Sequence, residues 1–291
     1  MLPDLPVGII GLGLMGTALA ERLAGAGIAV IGFDIDPDKC ALFGKHRTAA
    51  SVGDVASRCH AIVLAVYDGA QVQTILGELE TGPARPALIC TTTCAPGEIE
   101  RIAARAASAG LAFVEAPISG ASAEVRDGTA TVLVAGEPGA IKAVHALLAA
   151  LCPRRTHVGK VGDASRTKLA INLILQNNRA VLAEGIAFAE RLGLDGRTFL
   201  EAARNSAAYS RVMDTKGEKM LSRDFRPQSH IAQTLKDAEL ILHEARQHGV
   251  RLALTETQVD LLHAAIALEG PDSDSSASIE AMRRQTPEVS R

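Results

Sequence analysis

Val7-Gly8-Ile9-Ile10-Gly11-Leu12-Gly13-Leu14-Met15-Gly16, followed by the helix-forming run Thr17 to Leu23, sets the fold of the first half of the chain. Four residues rich in Val and Ile read as a buried strand, and the G-x-G-x-x-G stands where that strand gives way to a helix. Each glycine answers a separate need. Gly11 permits a tight turn, Gly13 lets backbone approach a pyrophosphate, and Gly16 lets helix and strand close on each other. The N-terminus of the helix offers free N–H groups and a favourable dipole to a phosphate. The competing reading is a glycine-rich turn that binds nothing.

The same rhythm continues outward from this loop. Apolar runs at Ala29 to Phe33, Ala61 to Val66, Ala87 to Thr91, Ala112 to Glu115 and Thr129 to Ala135 alternate with helix-length amphipathic segments. Strands separated by helices need crossovers of one hand, which predicts a parallel sheet covered on both faces. The last run, followed by Pro138 to Leu151 as one helix, is free to lie differently in that sheet. After Gly159-Lys160-Val161-Gly162 the texture changes. Ser165 to Arg191 reads as one long helix, further helices are expected at Asp195 to Asn205, Gln228 to His248 and Thr255 to Leu268, and no strand is evident. The expected division is residues 1–162 as an α/β dinucleotide-binding domain and 163–291 as an all-α domain. The segment after Gly270 reads as partly loose.

Composition narrows the functional classes. The 291 residues carry 30 Lys plus Arg against 33 Asp plus Glu, a net charge of −3, so no basic footprint for a nucleic-acid backbone exists. Apolar runs fall far short of the roughly 20 residues of a membrane helix. The N-terminal stretch shows no leader-like pattern, and the cytoplasm is the expected compartment. Five Cys without a C-x-x-C pair support neither a zinc site nor a disulfide framework, and free buried thiols are expected. With 3% aromatics and no Trp, a ligand site has to rely on backbone and polar groups.

Asp34 ends the second strand, 18 residues beyond Gly16, where a carboxylate can accept from adenosine ribose hydroxyls and repel a 2′-phosphate. NAD is therefore expected over NADP, with Lys39 near enough to soften the repulsion. A capping role for Asp34 before Pro37 is the alternative. Thr91-Thr92-Thr93-Cys94-Ala95-Pro96 places hydroxyls at the C-terminal end of a strand, where open α/β sheets bind ligands, although threonines there also cap helices. In Glu115-Ala116-Pro117-Ile118-Ser119-Gly120-Ala121, Ser119 and the N–H groups near Gly120 suit a carboxylate, or form a plain turn. Lys168 and Asn172 stand at i, i+4 on the long helix, and Gln176 and Arg179 extend the polar stripe. Such a stripe is either a solvated face or, with a desolvated lysine, a proton-transfer site. Arg211 and Lys216 are further polar groups on offer to a cleft, with exposure the alternative for Arg211.

Taken together, these motifs resemble the β-hydroxyacid dehydrogenases, a family that includes 3-hydroxyisobutyrate dehydrogenase. The likeness rests on Gly11 to Gly16, the threonine segment ending at Pro96, Ala116 to Gly120, Gly159-x-x-Gly162 with Lys168 and Asn172, and Lys236-Asp237, in the family's order. The resemblance implies a doubly wound Rossmann domain joined by a long helix to an all-α domain, with the active site between them and a homodimer or homotetramer built through the helical part. It implies Lys168 as catalytic lysine and Ser119, Gly120 and Asn172 as substrate ligands. Gly11, Leu12, Gly13, Leu14, Met15, Gly16, Asp34, Thr93 and Lys236 would hold NAD, with no metal. The expected reaction passes a hydride between a small 3-hydroxy acid and its semialdehyde or keto acid, with Lys168 as general acid and base. The family's pattern has a second glycine where this chain has Ala121. Decarboxylating 6-phosphogluconate dehydrogenase carries His where this chain has Ile171, and imine reductases commonly lack the lysine present here. A non-catalytic NAD-binding sensor is the reading from another class.

Overall fold

The computed structural model describes residues 5–284. The chain divides into two compact units, Met1–Lys168 and Leu169–Arg291.

In the first unit the order is β1 (Val7–Ile10), α1 (Leu14–Gly25), β2 (Val30–Phe33), α2 (Pro37–Phe43), α3 (Val52–Arg58), β3 (Ala61–Leu64), α4 (Gly69–Thr81), β4 (Ala87–Cys90), α5 (Pro96–Ser108) and β5 (Phe113–Glu115). It continues through β6 (Ile118–Ser119), α6 (Ser122–Arg126), β7 (Thr131–Gly136), α7 (Pro138–Ala143), α8 (His145–Leu151) and β8 (Arg154–Gly159). The strand order is β2-β1-β3-β4-β5-β7-β6, with β8 also on β7. From β2 to β5 every pairing is parallel, in register Val7↔Val30, Val7↔Ala61, Ala61↔Ala87 and Leu88↔Phe113. The sheet is doubly wound, as the alternation of strands and helices requires.

Successive strand residues feed opposite cores. Ile9, Val63 and Ile89 join Leu19, Leu23 and Leu148 on one side, while Ile10, Leu64 and Leu88 join Val55, Leu76 and Ile102 on the other. That alternation is the period of two expected of a strand buried on both faces.

β7 runs antiparallel to β5, a course left open for that last run, so the sheet is mixed. Two further features of this unit differ from the sequence expectation. The helix expected over Pro138 to Leu151 is two short helices, because Val144 leaves helical geometry at φ −106°, ψ 10°. β8 was not anticipated, since its Arg-Arg-Thr-His sequence is largely solvent-facing and carries no apolar period.

In the second unit, entered along α9 (Asp163–Arg191), follow α10 (Gly196–Arg204), α11 (Arg211–Ser222), α12 (Ile231–Gln247), α13 (Ala253–Glu269) and, after a 3₁₀ turn at Ser275–Ala277, α14 (Ser278–Arg284). Its cores gather Leu182, Ile186, Leu200, Met213 and Met220, and then Ile231, Leu261, Leu262 and Ala277. α11 escapes the sequence reading because Gly217 interrupts its pattern. A Cβ there would stand 2.7 Å from Leu200 Cδ2, so the glycine serves close packing of α10 on α11.

Within the segment expected to be partly loose, residues 274–281 are packed. Asp274, Ser275, Ser276 and Ala277 are all fully buried. Asp274 accounts for this: its carboxylate accepts from Lys216 Nζ at 2.8 Å at both oxygens, from the N–H of Gln228 at 2.8 Å and from the N–H of Ser276 at 3.0 Å. Lys216 is therefore spent on this internal ion pair and offers nothing to a cleft. Residues 285–291 of the expected all-α domain lie outside the described residues.

Candidate active site

The glycine loop is built from the constraints that its sequence announces. Gly11 has φ +95°, and a Cβ there would meet Ala65 O at 2.4 Å; a Cβ on Gly16 would meet Gly11 O at 1.8 Å. A Cβ on Gly13, by contrast, would find nothing within 4 Å. Two glycines thus let the chain pack against itself, and the third leaves open space over the N-terminus of α1, which has no side-chain cap. A bare helix N-terminus beside open backbone fits a diphosphate.

Asp34 lies where β2 ends, with Oδ2 accepting from the N–H of Leu12 at 2.7 Å and Oδ1 from the N–H of Asp36 at 2.9 Å. The capping alternative fails: Asp36, not Asp34, caps α2, through Asp38 N–H. Lys39 reaches both carboxylates, at 3.9 Å from Asp34 and 3.6 Å from Asp36, so its charge is shared.

Thr91 and Thr92 are structural, tying the end of β4 to that of β3. Thr91 Oγ1 donates to Leu64 O at 2.8 Å, and Thr92 Oγ1 accepts from Val66 N–H at 3.2 Å. Thr93 is half-buried on the same loop, and α5 begins at Pro96. Ser119 is half-buried at the end of β6. Gly120 has φ +145°, with Ala130 Cβ 3.0 Å from where its own would lie, and Ala121 N–H donates to Glu124 Oε2 at 2.9 Å.

Sequence reading passed over Glu115. It is fully buried at the end of β5, where its carboxylate accepts from the N–H groups of Gly162 at 2.7 Å and Ser165 at 2.6 Å and from Ser165 Oγ at 2.5 Å. Burial raises its pKa from the ordinary carboxylate range, against these hydrogen bonds, which lower it. Glu115 thus supplies acceptors to the otherwise unsatisfied first turn of α9 and complements its dipole. The only signal was an acidic residue closing a strand otherwise wholly apolar.

Lys168 follows one turn later. Lys168, Asn172, Gln176 and Arg179 are 6%, 5%, 3% and 7% exposed, so the solvated-face alternative is excluded. Within the second unit, Asn172 Nδ2 donates to Asp237 Oδ2 at 3.0 Å, and Lys236 Nζ pairs with Asp237 Oδ1 at 3.0 Å. Asp237 therefore joins two of the predicted residues, Asn172 and Lys236. Arg211 is exposed at the start of α11.

The five cysteines are free, four of them buried and Cys40 half-buried; burial pushes the Cys59 and Cys152 thiols up to about 11. No cluster of metal ligands occurs among the described residues, and none of their helices is long and apolar enough to cross a membrane.

Residues 6–159 match the NAD binding domain of 6-phosphogluconate dehydrogenase, and residues 162–282 match the NAD-binding model of NADP-dependent 3-hydroxyisobutyrate dehydrogenase. The chain belongs to the β-hydroxyacid dehydrogenase family. It is 29% identical over 281 residues to the 2-hydroxy-3-oxopropionate reductase of Escherichia coli K12, covering 95% of this chain and 96% of that one. It is 27% identical to the L-threonate dehydrogenase of Cupriavidus necator, over 92% and 93% of the two chains. Among solved structures, a 3-hydroxyisobutyrate dehydrogenase from Salmonella typhimurium superposes with a TM-score of 0.87 at 26% identity, over 95% of this chain and 99% of that one. As a β-hydroxyacid dehydrogenase homologue, the protein is an oxidoreductase with a nicotinamide dinucleotide-binding domain.

Proposed function

We propose that this β-hydroxyacid dehydrogenase homologue uses NAD to interconvert a small 3-hydroxy acid, of the 3-hydroxyisobutyrate type, and its semialdehyde or keto acid. The burial of Lys168, one turn beyond the Glu115-held start of α9, carries this reading. Desolvation disfavours an ammonium and so eases proton release, which suits the lysine to take up and return a proton.

Gly11 to Gly16 with Asp34 hold the dinucleotide, with Thr93 and Lys236 as further contacts. The bound nicotinamide supplies the hydride acceptor in oxidation and the donor in reduction. Ser119 and the Gly120 backbone receive the substrate carboxylate, and Asn172 binds the substrate one turn along α9 from Lys168. In oxidation, neutral Lys168 takes the substrate hydroxyl proton at Nζ; in reduction the ammonium returns it to the carbonyl oxygen. The protein's own contribution is orientation and proton management. Support for NAD over NADP comes from the Asp34 carboxylate, which would face a 2′-phosphate with like charge.

The test is NADH formation over a panel of 3-hydroxy, 2-hydroxy and aldonic acids, with NAD and NADP in parallel. Turnover of a 3-hydroxy acid with NAD is expected. In Lys168→Ala, NAD binding is expected to persist while turnover falls by roughly 10²- to 10⁴-fold. Turnover close to that of the unmodified enzyme would refute the lysine's role, and cofactor binding without turnover of any acid would refute the dehydrogenase reading.

The assembly we propose is a homo-oligomer formed through α9. Ile174, Val181 and Phe188, spaced seven apart, are 61%, 62% and 64% exposed. Such a stripe on a long helix suits a second copy of the same helix.

A further inference from the structure

Among the described residues of the second unit, five ionisable side chains are buried, and of these Arg179 alone lacks a salt-bridge partner. Lys216 and Asp274 hold each other, Glu280 pairs with Arg223 at 3.0 Å and Arg283 at 2.8 Å, and Asp237 pairs with Lys236 at 3.0 Å. The Arg179 guanidinium donates from Nη1 to Thr234 Oγ1 at 3.3 Å, and its Nε has no partner. It feels Asp274, whose oxygens are already taken by Lys216 and three backbone N–H groups. Burial lowers the Arg179 pKa, yet a guanidinium stays protonated in proteins. A charge of this kind calls for compensation inside the fold.

The place for it adjoins the guanidinium. Gln176, Arg179, Gln258, Leu261, Ser278 and Met282 line one cavity with ≈ 10 Å³ of room, about one water-sized sphere. Arg179, Gln258 and Ser278 are 7%, 3% and 5% exposed, and each has a polar atom without a hydrogen bond: Nε, Oε1 and Oγ. We propose that this cavity binds one chloride ion, held by Arg179 Nε–H and the Ser278 hydroxyl. The confined room favours a single-atom anion over a carboxylate or phosphate. Gln258 adapts to the anion. Its Nε2 donates to Gln176 Oε1 at 3.4 Å, and turning both amides keeps that bond while exchanging the unpartnered acceptor for a donor. A water molecule would satisfy the same hydrogen bonds but leave the charge uncompensated.

The test is thermal unfolding of the full chain in sodium chloride against sodium gluconate at fixed ionic strength. Chloride at tenfold over its Kd is expected to raise Tm by about 3 °C relative to gluconate. Arg179→Met, which replaces the cation with a flexible apolar side chain, is expected to give the same Tm in both salts. Crystals grown in bromide are expected to show an anomalous peak beside Arg179 Nε, and this reading does not depend on the variant folding. Equal Tm in both salts for the unmodified protein, or bromide crystals with only a water beside Arg179, would overturn the proposal.

Discussion

Asp34 holds the fold of the glycine loop, and the proposed cofactor preference rests on the same carboxylate. One oxygen fixes Leu12 N–H of the glycine loop and the other Asp36 N–H, so the carboxylate is already oriented within the first unit. Asp34→Asn keeps an acceptor for Leu12 and removes the negative charge. The ratio of kcat/KM for NADP to that for NAD is expected to rise by about tenfold or more, as like-charge repulsion is lost. An unchanged ratio in steady-state assays with both cofactors would remove Asp34 from the basis of cofactor choice. The residue's position was legible from its spacing behind Gly16. Its bond to Leu12, and the capping of α2 by Asp36 in its stead, needed the structure.

At the scale of the element, α9 begins where Glu115 holds it and not where its own sequence caps it. Glu115→Ala leaves the N–H groups of Gly162 and Ser165 and the Ser165 hydroxyl without acceptors. The expected cost is about 1–3 kcal/mol, read from urea unfolding. The packed segment after Gly270 depends on another carboxylate. Burial raises the pKa of Asp274, but Lys216 and the backbone N–H groups outweigh it and hold it below the ordinary 3.8. A carboxyl whose folded-state pKa is depressed contributes stability above its unfolded value, lost as pH falls through the folded one. The urea midpoint is therefore expected to drop steeply below about pH 4, a fall that Asp274→Asn should flatten. At pH 7 the same variant should cost about 3–5 kcal/mol, because Lys216 is left buried and unpaired. The burial of Asp274 is not legible locally because Pro-Asp-Ser-Asp-Ser-Ser looks polar, and its carboxylate finds its cation 58 residues away in sequence.

For the whole molecule, the proposed assembly rests on the exposed stripe of Ile174, Val181 and Phe188 along α9. Val181→Glu is expected to shift the protein toward monomer in sedimentation velocity without changing its circular dichroism; an unmodified protein that sediments as a monomer would end the proposal. The sequence by itself determined the doubly wound sheet, the turn at Gly11 and the close packing at Gly16, and the change to an all-helical second half. Those features rest on local periods and on backbone geometry that only particular residues allow. The tertiary structure alone decided that β7 turns antiparallel, that Glu115 starts α9, that the stripe from Lys168 to Arg179 is buried and that Lys216 is bound to Asp274. Each joins residues distant in the chain, and the desolvation that makes such polar contacts matter exists only once the core has closed around them.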